Sequence, residues 1–415
     1  MKRTAIAIAA IATTSLALTG CSGGSDGPGG GDVELEMQTN FGASDPSLKV
    51  LQEITDAYQD ENPGVKIDLV PSTETYEADI KVRLSSGDLP DIWATHGWSL
   101  LRYSEFLEPL NERPWAKDFN EALAPAMQND DGQFFALPID TDVAGIVYNR
   151  TVLKDAGIDP ASLTDWTAFE AALKTLKDGG IVPLSSSGKD SWFAGNITDF
   201  MGSGDFSEAS FDGFLDGTFD EDGYTRILDH VATWQKDGYF NPDYSSATTD
   251  DLGRALAEGT TGFVFVQNYL VATALGFNPD ADLGYMPIPS EDGTPFLVGG
   301  EGRAYGVAKD SPDKEQALDY IDYLAQPENL SKLAGAVGGI PGLTNATSDL
   351  GILQASYDEF VAPGDLPLQP YFDRVYLPNG IWDTMVSTTD GVITGQMSPA
   401  DAVSQMKSSY ESLRG

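Results

Sequence analysis

Two aspartates separated by a single residue are the side chains of this sequence best placed to do chemistry. Asp140 and Asp142 lie in an apolar, extended run at residues 134–149. Residues i and i+2 of an extended chain point to the same face, so the two carboxylates share one side. Such a pair could act as a general acid and base, accept hydrogen bonds from neighbouring hydroxyl groups, or cap a turn.

A tryptophan and an arginine–glutamate pair are further candidates. Trp192 follows a polar loop at residues 185–190, where a flat ring could face a ligand. Glu301 and Arg303 follow a Gly-Gly pair in a second extended segment. The planar guanidinium of Arg303 could bind two adjacent hydroxyl groups, or it could pair structurally with Glu301 or an aspartate. The residues alone leave both uses open.

The segments that must position these side chains alternate between strand and helix. Residues 33–38 and 65–69 alternate apolar and polar side chains, which predicts two half-buried strands. Between them, apolar residues recur at helical spacing from Pro46 to a stop at residues 62–64. Strand–helix–strand order predicts a parallel sheet in an α/β fold, with ligands beyond the carboxyl ends of its strands. The residues expected at that edge are Asn40, Phe41, Glu74, His96 and Trp98.

Composition narrows the possible functions. The formal net charge is −40, from 64 acidic and 24 basic residues. An acidic surface repels phosphate groups, so we expect no nucleic-acid partner. One cysteine permits no internal disulfide, and two histidines argue against a zinc site, so we expect neither a metal nor a cofactor. The length of 415 residues predicts two domains.

The N-terminus has the order of a secretory signal. Lys2 and Arg3 precede an apolar run at residues 5–18, which is too short for a permanent membrane span. Leu18-Thr19-Gly20-Cys21 resembles the cleavage box of bacterial lipoproteins. The resemblance implies a signal peptide at 1–20, a lipid on Cys21 and a Gly/Ser-rich linker through residue 32. We therefore expect an extracytoplasmic protein that contacts the outer face of the cell membrane only through its lipid; the alternative is an ordinary signal peptide with an unmodified thiol.

A series of short motifs indicates the family. In chain order they are 87–92 (GDLPDI), 132–138 (GQFFALP), 147–149 (VYN), 259–263 (GTTGF), 338–341 (GGIP) and 397–402 (MSPADA). Together they resemble the family 1 extracellular solute-binding proteins of ATP-driven (ABC) sugar importers, the branch that includes maltodextrin-binding and multiple-sugar-binding lipoproteins. The resemblance covers nearly all of the chain after the linker.

The resemblance implies a two-lobed periplasmic-binding-protein fold, with a mostly parallel sheet flanked by helices in each lobe. Residues 33–141 and 259–307 are expected to form lobe 1, and 142–258 and 308–415 lobe 2. The chain would cross near residues 141–145, return near Glu258 and cross again near Ala308. A carbohydrate, most simply an oligosaccharide, would be clamped in the cleft by hinge closure and passed to the permease subunits of the importer. A monomer is expected.

The resemblance also assigns ligand-binding roles. Trp382 and Tyr269 occupy positions where the family stacks aromatic rings on sugar, and Asp142 a position that often carries a sugar-binding acid, with Asp140 beside it. His96 and Trp98 match a ligand-contacting loop, although Gly97 replaces the acid that the family often has there. The same rim would include Asn40 and Glu74, with Trp192, Glu301 and Arg303.

Two other classes of function remain open at this point. A secreted glycoside hydrolase also combines aromatic rings with two carboxylates, and the sequence has acids in excess. A binder of peptides or of a cation is the third possibility, but the clustered His or Asp ligands of a cation site are absent from the sequence.

Overall fold

The fold is that of a computed structural model of the chain. It describes residues 33–414 apart from 44, 74–75 and 96–99. The predicted signal peptide, Cys21, the linker, Glu74, His96 and Trp98 therefore lie outside the described residues. None of the helices in the described part has both the length and the apolar character needed to cross a lipid bilayer.

Strands and helices alternate along the described chain. The strands are β1 (Val33–Gly42), β2 (Val65–Ser72), β3 (Ile92–Thr95), β4 (Leu137–Asn149), β5 (Val182–Leu184), β6 (Thr261–Gln267), β7 (Leu283–Met286), β8 (Leu297–Val307), β9 (Ile340–Pro341) and β10 (Leu368–Pro370). The α-helices are α1 (Pro46–Glu61), α2 (Tyr76–Ser86), α3 (Leu100–Tyr103), α4 (Ala124–Met127), α5 (Arg150–Asp155), α6 (Trp166–Asp178), α7 (Trp192–Gly204), α8 (Glu208–Asp216), α9 (Glu221–Lys236), α10 (Thr249–Glu258), α11 (Leu270–Phe277), α12 (Lys314–Leu324), α13 (Pro327–Ala336), α14 (Gln354–Ser356), α15 (Phe372–Val375), α16 (Trp382–Ile393) and α17 (Pro399–Arg414).

The first three strands form a parallel unit. β1 pairs in parallel with both β2 and β3. Leu35 and Met37 of β1 are fully buried while Glu34 is exposed, as the alternation in the sequence predicts. Asp45 begins α1 as its N-cap, because its carboxylate accepts a hydrogen bond from the Ser47 amide at 2.8 Å. The carboxyl ends of these strands therefore meet at one edge.

Within the described residues, ten strands form one mixed sheet in the order β2-β1-β3-β8-β4-β6-β5, with β10 on β8 and with β7 and β9 on β4. β4 and β8 are the longest, with 13 and 11 residues, and they pair antiparallel. They carry the chain through the sheet in opposite directions. The α/β fold is thus confirmed, and the antiparallel crossing explains why the sheet is mixed rather than mostly parallel.

Buried side chains form two clusters, which we call the N-terminal core and the central core. The N-terminal core takes its buried residues from 35–139 and again from 304–346. The central core takes them from 144–298 and again from 353–410. The chain therefore passes three times from one core to the other: in β4, in β8, and between residues 346 and 353.

The division into two cores differs from the expected lobe boundaries, which stay a prediction. Residues 259–298 pack in the central core rather than with 33–141, and residues 308–346 pack in the N-terminal core rather than with 142–258. The expected return near Glu258 and last crossing near Ala308 do not coincide with the passages between these two cores. The physical reason is the pairing of β6, which joins β4 and β5 instead of the strands of the N-terminal core.

Candidate functional site

A cavity of about 560 Å³ opens where the two cores face each other. Among the described residues, α2 of the N-terminal core contributes Lys81, and the central core contributes the rest of the lining. The central residues come from α7, the end of β6, α15, the segment after it and the start of α16. We call this space the aromatic cavity, after the rings in its wall, among them the three predicted residues Trp192, Tyr269 and Trp382.

Close packing fixes these rings. The ring centroids of Trp192 and Tyr269 are 5.9 Å apart, and Trp192 stacks on Phe193 at 3.7 Å. Trp382 lies against α7 at Gly195, where an added Cβ would come within 2.8 Å of the indole. Gly195 therefore lets α16 bring Trp382 up to Trp192. The three residues, which the sequence analysis named separately, are brought together here.

Polar side chains form a further part of the cavity lining, which we call the polar side. Asn196 and Asp199 follow Trp192 by four and seven residues on α7, so helical periodicity places all three on one face. The Asn196 amide donates to Gln267 Oε1 at 3.3 Å. Tyr371, at the start of α15, completes this polar side of the lining.

An acid pair lies within this polar side. Asp199 is 1% exposed, and its Oδ1 accepts a hydrogen bond from the Asp373 amide at 2.8 Å. Burial raises the pKa of the Asp199 carboxyl well above its ordinary value, and the charge of Asp373 raises it further. Burial also raises the pKa of Asp373, while the nearby Arg374 guanidinium opposes that rise.

The predicted carboxylates Asp140 and Asp142 lie on β4 beside the cavity. They share one face, since both lie over Gly302: a Cβ added there would be 2.5 Å from Asp140 Oδ2 and 2.6 Å from Asp142 Oδ1. Arg303 Nη1 donates to Asp140 Oδ2 at 3.3 Å, and the Tyr371 hydroxyl donates to Asp142 Oδ2 at 3.3 Å. Burial raises the pKa of Asp140 to about 7 against the opposing charge of Arg303. Through Tyr371, Asp142 is connected to the lining of the aromatic cavity.

The other predicted site residues are placed differently. Asn40 accepts a hydrogen bond from the Tyr305 hydroxyl at 3.1 Å and does not line the aromatic cavity. Glu301 pairs through its backbone with Thr141, and its side chain is not among those described. The predictions for Glu74, His96 and Trp98 fall on residues outside the described part.

The sequence analysis missed nine polar residues of the described lining: Lys81, Asn196, Asp199, Gln267, Tyr371, Asp373, Arg374, Asn379 and Asp383. The two on α7 carry a local signal, since their spacing from Trp192 is helical. The residues at 371–373 follow Pro370 in a segment without periodicity, so no pattern in the sequence marks them.

A second cavity of about 660 Å³ lies between α5, α6, α10 and the segment before β7. Its lining combines aliphatic residues with the acids Asp155, Glu258, Asp280 and Asp282, and it contains no aromatic ring. None of the predicted site residues that the structure describes borders this second cavity. The aromatic cavity is therefore the better candidate for a ligand that stacks on flat rings.

Comparisons of this chain with known proteins agree on one family. The family model of bacterial extracellular solute-binding proteins matches residues 53–355. The melibiose/raffinose/stachyose-binding protein MelE of Bacillus subtilis is 29% identical over 408 residues, which cover 96% of this chain and 94% of MelE.

Two solved structures are similar over nearly the whole chain. The binding protein MsmE of Bacillus subtilis, in an open conformation, matches with a TM-score of 0.84 and 28% identity over 92% of this chain and 97% of that chain. A sugar transporter protein of Bacillus licheniformis in complex with stachyose matches with a TM-score of 0.79 and 30% identity over 92% of this chain and 100% of that chain.

Proposed function

This chain belongs to the bacterial extracellular solute-binding proteins, a family of binding proteins rather than enzymes, and we propose that it captures an oligosaccharide such as melibiose, raffinose or stachyose. The names of MelE and of the stachyose complex support this class of ligand. Because this family consists of binding proteins, we set aside the alternative of a secreted glycoside hydrolase. The role of the protein is to supply the ligand unchanged to an ABC sugar importer.

The observation that carries the proposal is the pairing of flat rings with polar groups in one cavity. A sugar ring has apolar faces of C–H groups, which stack on indole and phenol rings, and a rim of hydroxyl groups. Trp192, Tyr269 and Trp382 provide the flat surfaces, and amide, carboxyl and phenol groups line the same cavity. These groups donate to and accept from hydroxyl groups without requiring a charge on the ligand.

The residues near the crossing between the cores have a supporting role in this proposal. Asp142 would accept a hydrogen bond from a hydroxyl group of the ligand, because it contacts Tyr371, which lines the cavity. Asp140 is buried against Arg303, so this pair positions the crossing strands rather than the sugar. Asn40, Glu74, His96, Trp98 and Glu301 stay predictions for the face of the N-terminal core.

We further propose that the two cores are the two lobes that close on the ligand. The three crossings between residues 139 and 144, 298 and 304, and 346 and 353 would be the hinge. Closure is driven by the ligand only to the extent that it binds the closed state more tightly than the open one. Lys81 of the N-terminal core already borders the aromatic cavity, so closure would bring more of that core onto the sugar.

Anchoring and delivery complete the proposal. The signal-like order of residues 1–18 and the Leu-Thr-Gly-Cys box support cleavage before Cys21, lipid on its thiol and a position on the outer face of the cell membrane. The closed form would then dock on the permease subunits. Cys21→Ser should release the protein or leave it unprocessed; retention on the membrane through a lipid in that variant would contradict the anchor.

Calorimetric titration of the mature chain with melibiose, raffinose and stachyose tests the function. At least one sugar should bind with a dissociation constant near micromolar, about −8 kcal/mol, while maltotriose serves as the comparison glycan. Chromatography after long incubation should recover the sugar intact. Failure of all three to bind, or cleavage of a bound sugar, would contradict the proposal.

A further inference from the structure

Asp199 and Asp373 place two carboxyl groups against each other in the lining of the aromatic cavity. Asp199 lies on α7 and Asp373 on α15, and the two residues are 174 positions apart in the chain. The Asp373 amide donates to Asp199 Oδ1 at 2.8 Å, and the two side chains also interact directly. Because both residues border the cavity, a bound ligand would meet the pair as one unit.

The surroundings do not neutralise two negative charges at this position. The charged and titratable groups that face or border the pair among the described residues are Lys81, Asp142, Tyr224, Tyr371, Arg374 and Asp383. The Arg374 guanidinium lies 4.0 Å from the centre of the Tyr371 ring and also acts on Asp142. Arg303 also acts on Asp142, whereas Arg374 is the guanidinium that acts on both Asp199 and Asp373, so the pair shares one arginine with Asp142.

Two carboxylates in contact away from water do not both ionise near neutral pH, because each loses hydration and repels the other. Desolvation is the main cause of the raised pKa of Asp199, and the charge of Asp373 is the next. A proton on one carboxyl converts the repulsion into a hydrogen bond. The pair then offers one O–H donor and several acceptor positions to the cavity.

We propose that Asp199 and Asp373 share a single proton and that the bound oligosaccharide is recognised by this singly protonated pair. The inference rests on the proposed function of the cavity. A hydroxyl group of the sugar both donates and accepts, so a pair that does the same can bind two neighbouring hydroxyl groups. Closing of the cleft removes more water, which disfavours a second negative charge further.

The proposal makes binding of an uncharged ligand depend on pH. If the pair must be protonated in the complex, the complex takes up a proton wherever the ligand-free pair has lost one. The association constant then falls as the pH rises, by up to about tenfold for each pH unit at the alkaline end. An uncharged ligand does not titrate in this range, so its own ionisation cannot produce this pH dependence.

The ligand-free protein allows a test that needs no sugar. A carboxyl whose pKa is raised by folding stabilises the folded state fully below the ordinary value of about 4, and this contribution is lost as the pH rises through the raised value. The unfolding temperature is measured from pH 5 to 9 for the wild type and for the double variant Asp199→Asn/Asp373→Asn, which cannot titrate there. The wild type should lose stability relative to the double variant as the pH rises. Equal pH dependence would overturn the shared proton.

The second measurement is calorimetry with stachyose, repeated in phosphate and Tris buffers from pH 6 to 9. The difference in observed enthalpy between two buffers counts the protons taken up on binding. We expect uptake at alkaline pH with the wild type and none with the double variant. Asp383→Asn is the matched control: it removes an exposed acid from the same lining but leaves the pair intact, so the pH slope should remain whatever its affinity.

The outcomes separate the two proposals. If stachyose binds the wild type with the same affinity from pH 6 to 9 and without proton uptake, the protonated pair is refuted while the sugar-binding function stands. If stachyose, raffinose and melibiose all fail to bind, the proposed function fails, and proton-dependent recognition with it. The stability comparison still decides in that case whether the proton is shared.

Discussion

At the scale of single residues, the aromatic cavity depends on how its rings are held. Trp382 is the first residue of α16 and lies against the Gly195 backbone of α7, so its indole is fixed by two helices. Trp192 is fixed by its stack on Phe193. A ring that is already immobilised loses little conformational entropy when a ligand stacks on it, which favours binding.

Replacement of this fixed indole gives a direct prediction. Trp382→Ala should weaken stachyose binding by roughly 1–3 kcal/mol, because the apolar face of a sugar unit loses its flat partner. Trp382→Phe keeps a ring and should lose less. Calorimetry measures both affinities, and an unchanged dissociation constant in the alanine variant would remove Trp382 from the site.

The same scale shows what the sequence could and could not predict about the site. The resemblance to the family pointed to Trp382 and Tyr269, and a preceding polar loop pointed to Trp192; the structure places all three in one cavity, and their contact with sugar stays a prediction. Asp199 and Asp373 could not be paired, because their contact joins two helices that no local spacing connects. Long-range contacts of this kind are set by packing and not by periodicity.

At the scale of elements, the pairing of β4 with β8 sets the geometry beside the cavity. The register of this pair shifts between Pro138 and Thr141, so the ladder is irregular where the chain passes from one core to the other. Gly302 faces this irregularity from β8, and the absent Cβ leaves room for the carboxylates of Asp140 and Asp142. Alanine at this position would meet both oxygens at distances that real Cβ atoms do not adopt.

Gly302→Ala should therefore destabilise the protein by roughly 1–3 kcal/mol, as expected for overpacking, and should weaken stachyose binding. The displaced carboxylates would lose their contacts with Arg303 and Tyr371. Gly276→Ala is the control: an added Cβ there meets nothing within 4 Å. That change in α11 should stabilise slightly, by about 0.5–1 kcal/mol, through helix propensity. Thermal unfolding compares the two, and equal stability would contradict the crowding argument.

The elements also show why the two cores differ from the lobe boundaries expected from the sequence. The apolar run at 263–266 indicated a buried strand, and β6 is one. Its partners are β4 and β5, which decides the core to which it belongs. When a strand is buried on both faces, its sequence does not indicate which strands it pairs with. Strand existence was therefore predictable here, whereas strand partnership was not.

At the scale of the whole molecule, the two cores and the net charge act together. Three crossings connect the cores, and the aromatic cavity lies where they face each other. The formal charge of −40 makes separate molecules repel one another, which favours a dispersed solution at moderate salt. Solution scattering can therefore report the shape of single molecules if about 0.15 M salt screens the repulsion between them.

Scattering with and without ligand tests whether the cores move as lobes. Saturating stachyose should reduce the radius of gyration and shorten the longest intramolecular distance, since a ligand held by both cores favours the arrangement in which both contact it. Maltotriose, if calorimetry finds that it does not bind, should leave the curve unchanged. Superimposable curves with and without stachyose, at a concentration that calorimetry shows to saturate the site, would mean that the cores bind the sugar without closing. In that case recognition would belong to the central core, because among the residues that the structure describes that core supplies all of the cavity lining except Lys81.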